Sequence, residues 1–131
     1  MKTRTIVSAI IACKNKFLIA KRAKSKKFAP NKWEFISGFV DNSKTAEEII
    51  NNELKDEVNI RGKIVRKFDP YVIVDKEARW IILPFLIKMK NEKFTLNKKD
   101  HSEIKWVTLK ELKKYKELSN ELKQLNFKNT F

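Results

Sequence analysis

Apolar positions follow two different rhythms along this chain. Ile6 to Cys13 is an almost unbroken apolar run, and Phe17 to Arg22 follows after the polar triplet Lys14-Asn15-Lys16. Runs of this kind suit buried strands, and the triplet suits a tight hairpin turn. A basic loop from Ser25 to Lys32 closes on Pro30-Asn31, and Trp33 to Ile36 reads as a short extended piece leading to Gly38. From Thr45 the rhythm changes. Ile50, Leu54 and Val58 recur every fourth residue, the buried face of a helix running to about Val58. Thr45-Ala46-Glu47-Glu48 fits a capping box at its start, and Asn59 suits a left-handed helix end. Ile64 to Phe68, Tyr71 to Val74 and Ala78 to Lys88 are strand-like again, with a turn at Asp75-Lys76-Glu77. Asn91 to His101 reads as loop, Ile104 to Val107 as a short strand, and Thr108 to Tyr115 and Ser119 to Phe127 as short helices. Strands, helix, strands, helix is the order of an α+β chain, read as one domain over residues 1–131.

Composition narrows what such a chain does. The longest apolar run, Trp80 to Ile87, is broken by Pro84 and falls well short of the roughly 20 residues that span a bilayer, so no membrane partner is expected. The formal charge is +14, which points to anionic partners. Yet the bases are 25 Lys and only 5 Arg, and specific nucleic-acid recognition favours the Arg fork, so nucleic acid is not the expected partner. The charge is also uneven. Glu34 to Ile60 holds seven acids and two bases, a net of −5 that leaves +19 for the remainder. An acidic island in a basic chain suggests a cation or a catalytic task.

Cys13 and His101 are the sole cysteine and histidine. They exclude a disulfide framework and nearly exclude a zinc site built from His and Cys. A Ser-His-Asp triad would have to use His101, and no nucleophile-elbow sequence accompanies it. The short apolar N-terminal run flows straight into a second strand pattern, so the expected location is cytoplasmic rather than exported.

On an α-helix Glu53, Asp56 and Glu57 sit at i, i+3 and i+4, on one stripe beside the core face. Three carboxylates so placed repel unless a cation joins them, and a hard divalent ion with oxygen ligands is the natural one. An ordinary solvated acidic face is the alternative. Gly38, one of only two glycines, precedes this helix and permits a tight turn or a close approach to a ligand.

Trp33-Glu34-Phe35-Ile36-Ser37-Gly38 through Glu53-Leu54-Lys55-Asp56-Glu57-Val58-Asn59-Ile60 resembles the Nudix box, G-x5-E-x7-R-E-U-x-E-E-x-G-U with U bulky and apolar, in particular its MutT branch. Gly38 matches the first glycine, Glu53 the Glu after the Arg, Asp56 and Glu57 the acid pair, and Ile60 the last apolar position. The resemblance spans about residues 4 to 127, through Phe17 to Arg22, Lys32 to Phe35 and Glu103 to Val107. It implies an α/β/α sandwich around a mixed β-sheet. Lys44, Asn52 and Asn59 replace the box's Glu, Arg and Gly, Asp56 replaces a Glu, and Ser37 replaces a glycine.

The resemblance implies a pyrophosphohydrolase acting on a nucleoside di- or triphosphate. Mg²⁺ or Mn²⁺ would be held by Asp56, Glu57, Glu53 and the Ser37 carbonyl, with Glu53 as general base. An acid from the later loop would join the metal site or serve as base instead of Glu53: Asp100, with Glu103 as its competitor. Arg22 matches a substrate-contacting arginine, Phe35 an aromatic at the base pocket, and Asn120 an asparagine that reads guanine. Each also has a plainer reading: surface Arg, core Phe, helix N-cap. The leading substrate is 8-oxo-dGTP or another dNTP, yielding a monophosphate and pyrophosphate. CTP, ADP-ribose or another diphosphate derivative is the alternative, as is a non-catalytic domain binding nucleotide or RNA. Either a monomer or a homodimer is expected.

Overall fold

The computed structural model describes residues 1–97 and 99–125. Among these, eight strands form one mixed sheet: β1 Lys2–Cys13, β2 Lys16–Arg22, β3 Trp33–Glu34, β4 Ile36–Phe39, β5 Lys63–Lys67, β6 Tyr71–Val74, β7 Ala78–Lys88 and β8 His101–Thr108. β1 is the spine. It runs parallel to β7 from Lys2↔Ala78 to Ala12↔Lys88 and antiparallel to β4 from Ile6↔Phe39 to Ala9↔Ile36. Its far end turns through Lys14, at φ 55°, into β2. β8 lies antiparallel on β2 with a register shift at Lys21/Arg22, which sets Arg22 opposite His101. The sheet extends from β1 through β7 to β5, with β6 also on β7.

Alternation along the strands fills two cores. Val7, Ala9, Ile11, Leu18, Ala20 and Ile36 face one side, where Ile49, Ile50, Leu54 and Val58 of the helical segment cover them. Ile10, Ala12, Phe17, Ile19 and Phe35 face the other, under Leu112, Leu118, Leu122 and Leu125. Helices α2 Leu109–Leu112 and α3 Lys116–Gln124 make that second cover. The result is the expected α/β/α sandwich. No helix among the described residues is long and apolar enough to cross a membrane.

The acidic helix departs from the regular helix expected over Thr45 to Val58. α1 covers Ala46–Glu53 only, and Leu54–Val58 continue as a π-helical turn ending at Asn59, whose φ is 51°. The β8 strand starts at His101 rather than Ile104, because pairing with β2 extends it. Helix α3 starts at Lys116 rather than Ser119, and the expected residues 126 and 127 lie outside the described residues.

Candidate active site

A cleft of about 700 Å³ opens where the ends of β2, β4 and β7 meet α1, the start of β8 and α3. Its position is set by local devices around α1. Thr45 caps the helix: its hydroxyl accepts from the Glu48 N–H at 3.2 Å, while Glu48 Oε1 accepts from the Thr45 N–H at 3.0 Å. Before the cap, Asp41 Oδ1 accepts from the N–H and hydroxyl of Ser43 at 2.8 and 2.6 Å. These turns brace the loop at the place where Lys44 and Asn52 lack the box's Glu and Arg. At the other end, the N–H groups of Thr95 and Asn97 donate to the carbonyls of Val58 and Glu57 at 2.9 and 2.8 Å. Thr95 and Asn97 thus close the helix end.

Glu53, Glu57 and Asp100 all line the cleft, together with Ser37 and Gly38. Gly38 does not have a positive φ, so the glycine is not needed for the backbone angle. It is needed for space: a Cβ there would stand 2.6 Å from Glu53 Cγ and 2.9 Å from Oε1. Burial pushes the Glu53 carboxyl up to about 7, reinforced by the charges of Glu57, Asp100 and Asp56. Glu57 is likewise raised, first by burial. Asp100 is held low, mainly by its hydrogen bond with Glu57, and it pairs with the Lys26 ammonium.

Behind the carboxylates lies a chain of charge that sequence reasoning left out. His101, 4% exposed, places Nε2 at 2.8 Å from Glu34 Oε2 and Nδ1 at 3.2 Å from Glu57 Oε2. Burial opposes its charge, but bonds to Glu34 and Glu57 outweigh it and lift His101 to about 9. Arg22 donates from Nη1 to both Glu34 oxygens at 3.1 and 3.2 Å, and from Nε to the Phe28 carbonyl at 2.7 Å. His101 therefore ties Glu57 to Glu34, with both ring nitrogens engaged by carboxylates. Its sequence signal was weak, since it sits at the edge of a segment read as loop.

Arg22 lines the cleft, but most of its reach is committed to Glu34 and Phe28. Asp56 is exposed and does not line the cleft, although its charge reaches Glu53. The π turn explains this. A turn of between four and five residues keeps i+4 near the starting position and carries i+3 about a third of a turn away. Glu57 stays beneath Glu53, and Asp56 leaves the stripe that an α-helix would have given it. Of the two later acids, Asp100 lines the cleft and Glu103 is exposed on β8 without doing so. Phe35, 2% exposed, packs among Ile10, Phe17 and Leu118, because strand alternation turns it into the core. Asn120 lies within α3 rather than at its cap, and the phase that buries Leu118 and Leu122 presents Glu121 to the cleft instead. Burial pushes Glu121 up to about 7, against the hydrogen bond it receives from Tyr71.

The donors around Glu53 are hard oxygens with surplus negative charge, which matches Mg²⁺ or Mn²⁺ chemistry. Among the described residues, no three carboxylate, histidine or cysteine side chains come close enough together to hold a metal ion by themselves. Mg²⁺ does not need such a set, since it keeps several waters and takes one or two carboxylates plus substrate phosphates. The donor chemistry of these residues fits such an ion, and the Lys26 ammonium is paired with Asp100 beside them.

The family model of the NUDIX domain matches residues 1–126. Comparison with curated protein sequences gives no match. Among solved structures, the chain is similar to a MutT protein from Methanosarcina mazei (20% identity, 97% of each chain covered, TM-score 0.80). It is also similar to the Nudix domain of Shewanella oneidensis NrtR complexed with ADP ribose (14% identity, 95% of this chain and 88% of that one, TM-score 0.77). A C. elegans Ap4A hydrolase in a binary complex has 19% identity over 94% and 93% of the two chains, with a TM-score of 0.75.

Proposed function

We infer the activity from one premise: this chain belongs to the Nudix family, whose domain model covers residues 1–126. The protein is a divalent-metal-dependent pyrophosphohydrolase of nucleoside di- or triphosphates. The observation that carries this reading is that Glu53, Glu57 and Asp100, from two distant stretches of chain, line one cleft with Ser37 and Gly38.

Glu57, Asp100, Glu53 and the Ser37 carbonyl would hold the metal, while Asp56, outside the cleft, would act through its charge. When bound, the ion neutralises the diphosphate and lowers the pKa of the attacking water. Glu53, packed against Gly38, takes the proton from that water as general base. His101 keeps Glu57 aimed at the cleft through its second bond to Glu34. Arg22 steadies Glu34 and the Phe28 loop from behind. The basic surround, net +19 outside the acidic segment, raises the local concentration of polyphosphate substrates. Phe35 and Asn120 stand off the cleft wall, so they supply no preference for 8-oxoguanine. The substrate class is accordingly the wider one.

A Mg²⁺-dependent screen of 8-oxo-dGTP, the common dNTPs, CTP, ADP-ribose and capped RNA tests the reading. Turnover of at least one nucleotide is expected, and Glu53→Gln should lower it by at least about 100-fold with the fold intact. No turnover of any compound, together with tight RNA binding, would make the domain a non-catalytic binder.

A further inference from the structure

The cleft has a second wall whose chemistry is unlike that of the carboxylates. Phe28 from the β2–β3 loop, Phe39 at the end of β4 and Trp80 in β7 come together there. Phe28 meets Trp80 edge-on at 5.5 Å between centroids, and Phe39 lies 6.2 Å from Trp80 and 6.3 Å from Phe28. The wall is built by the spine of the sheet: β1 sets Ile6 opposite both Phe39 and Ile82, and Arg4 opposite Trp80.

Each ring has a polar or charged neighbour. Trp80 Nε1 donates to Asp75 Oδ2 at 2.9 Å, and Asp75 Oδ1 accepts from the N–H groups of Glu77 and Ala78 at 2.8 and 3.0 Å. The Phe28 carbonyl is tied to Arg22, in a loop where Ala29 takes φ 44°. The Arg4 guanidinium lies 4.9 Å from the Phe28 ring centre and 6.0 Å from that of Phe39. Despite this support Phe39 remains 51% exposed. The Lys27 ammonium also lies 5.5 Å from the Phe28 ring centre, and the half-exposed Phe39 is the most open of the three rings, beside carboxylates that suit a metal-borne polyphosphate. Phe39 follows Gly38 directly, so the wall begins one residue from the backbone that packs on Glu53. A cleft of about 700 Å³ is ample for a nucleotide reaching from one wall to the other.

We propose that Phe28, Phe39 and Trp80 form the stacking wall for the substrate's nucleobase, so that this enzyme selects nucleotides by their planar ring rather than by a base-specific hydrogen-bond pair. The proposal rests on the hydrolase reading for the position of the phosphates. Stacking tolerates every base, because all have a π face. Purines should therefore bind more tightly than pyrimidines through their larger area, with little distinction between adenine and guanine.

The test uses the full chain carrying Trp33→Phe and Trp106→Phe, which leaves Trp80 as the only indole. Its fluorescence is titrated with AMP, GMP, CMP, ribose 5-phosphate and pyrophosphate. AMP and GMP should quench it and bind more tightly than CMP, while the compounds without a base should not quench. Phe39→Ala should weaken AMP binding about tenfold and raise KM for a hydrolysed nucleotide by a similar factor. Phe39→Leu, which keeps apolar bulk, should behave like Phe39→Ala, with circular dichroism confirming the fold of both. Equal binding of AMP and ribose 5-phosphate, or unchanged affinity and KM in both Phe39 variants, would overturn the stacking wall. Base-dependent quenching without hydrolysis of any nucleotide would support the wall while refuting the hydrolase. Hydrolysis with unaltered KM in the variants would do the reverse.

Discussion

Gly38→Ala offers a sharp test of how the site is assembled. The backbone at Gly38 is not in the left-handed region, so alanine fits the chain without strain. The added methyl would nevertheless meet Glu53 Cγ at 2.6 Å and both Cδ and Oε1 at 2.9 Å. Ordinary carbon contacts lie at about 3.5–4.0 Å, so the Glu53 side chain must withdraw by about 1 Å. Glu53 is a flexible side chain, and alanine restricts the unfolded chain by about 0.4–1 kcal/mol, which offsets much of the local disturbance. Stability should change by no more than about 1 kcal/mol. A catalytic group displaced by about 1 Å costs on the order of 100-fold in rate, or about 2.7 kcal/mol of barrier. Thermal melts and initial rates at saturating Mg²⁺ would measure the two effects separately. In a Glu53→Gln background the base is already lost, so the added methyl should cost far less than 100-fold. Wild-type turnover in Gly38→Ala, or a full second 100-fold loss in the double variant, would refute the dependence of Glu53 on this glycine.

Two further outcomes follow from charge and backbone geometry. Glu121, raised to about 7 from its ordinary 4.5, and His101, raised to about 9 from 6.5, both bind protons more tightly in the folded state. Unfolding free energy should therefore fall as pH rises, between about 4.5 and 7 for Glu121 and between about 6.5 and 9 for His101. Glu121→Gln should flatten the first interval and stabilise the protein at pH 8 by about 1–3 kcal/mol, read from urea unfolding at several pH values. Glu121→Gln with the pH profile of the parent would remove the carboxyl as the cause. Asn59 holds the helix end at φ 51°, so Asn59→Ala should destabilise by about 1 kcal/mol and Asn59→Gly should not. Equal melting temperatures for the two variants would contradict that account.

Local signals in the sequence carried much of this architecture. The Thr45 capping box, the Asn59 helix end and the β1–β2 hairpin are each specified by residues within a few positions of one another, and each occurs where expected. What depends on distant parts of the chain was harder to read. β1 begins at Lys2, four residues before its apolar run, because β7 supplies a partner for the polar positions as well. The placement of Asp56 turned on a π turn that apolar spacing does not reveal, since Ile50, Leu54 and Val58 are buried either way. Phe28, Phe39 and Trp80 are separated by 52 positions, and Glu34 and His101 by 67, so only tertiary pairing brings either group together. Phe35 and Asn120 show the limit of carrying roles across a resemblance. Strand alternation and helix phase in this chain send one into the core and present Glu121 in place of the other.

The parallel pairing of β1 with β7 has a consequence for how the molecule comes into being. It joins residues about 76 positions apart, from Lys2↔Ala78 onward, and closing so long a loop precedes any gain from the contacts it brings. During synthesis β1 can find β2 and β4 early, but its longest partner exists only once Lys88 has been made. Ile6 and Phe39 are then waiting for Trp80 and Ile82, so the aromatic side of the cleft is completed after the acidic helix has already emerged. Domains dominated by such distant pairings fold slowly, typically in milliseconds to seconds. On this order of events a nascent chain truncated before Ala78 would hold the carboxylates of Glu53 and Glu57 without the surface that faces them. The acidic helix and the rings that face it across the cleft thus come together only after β7 has paired with β1.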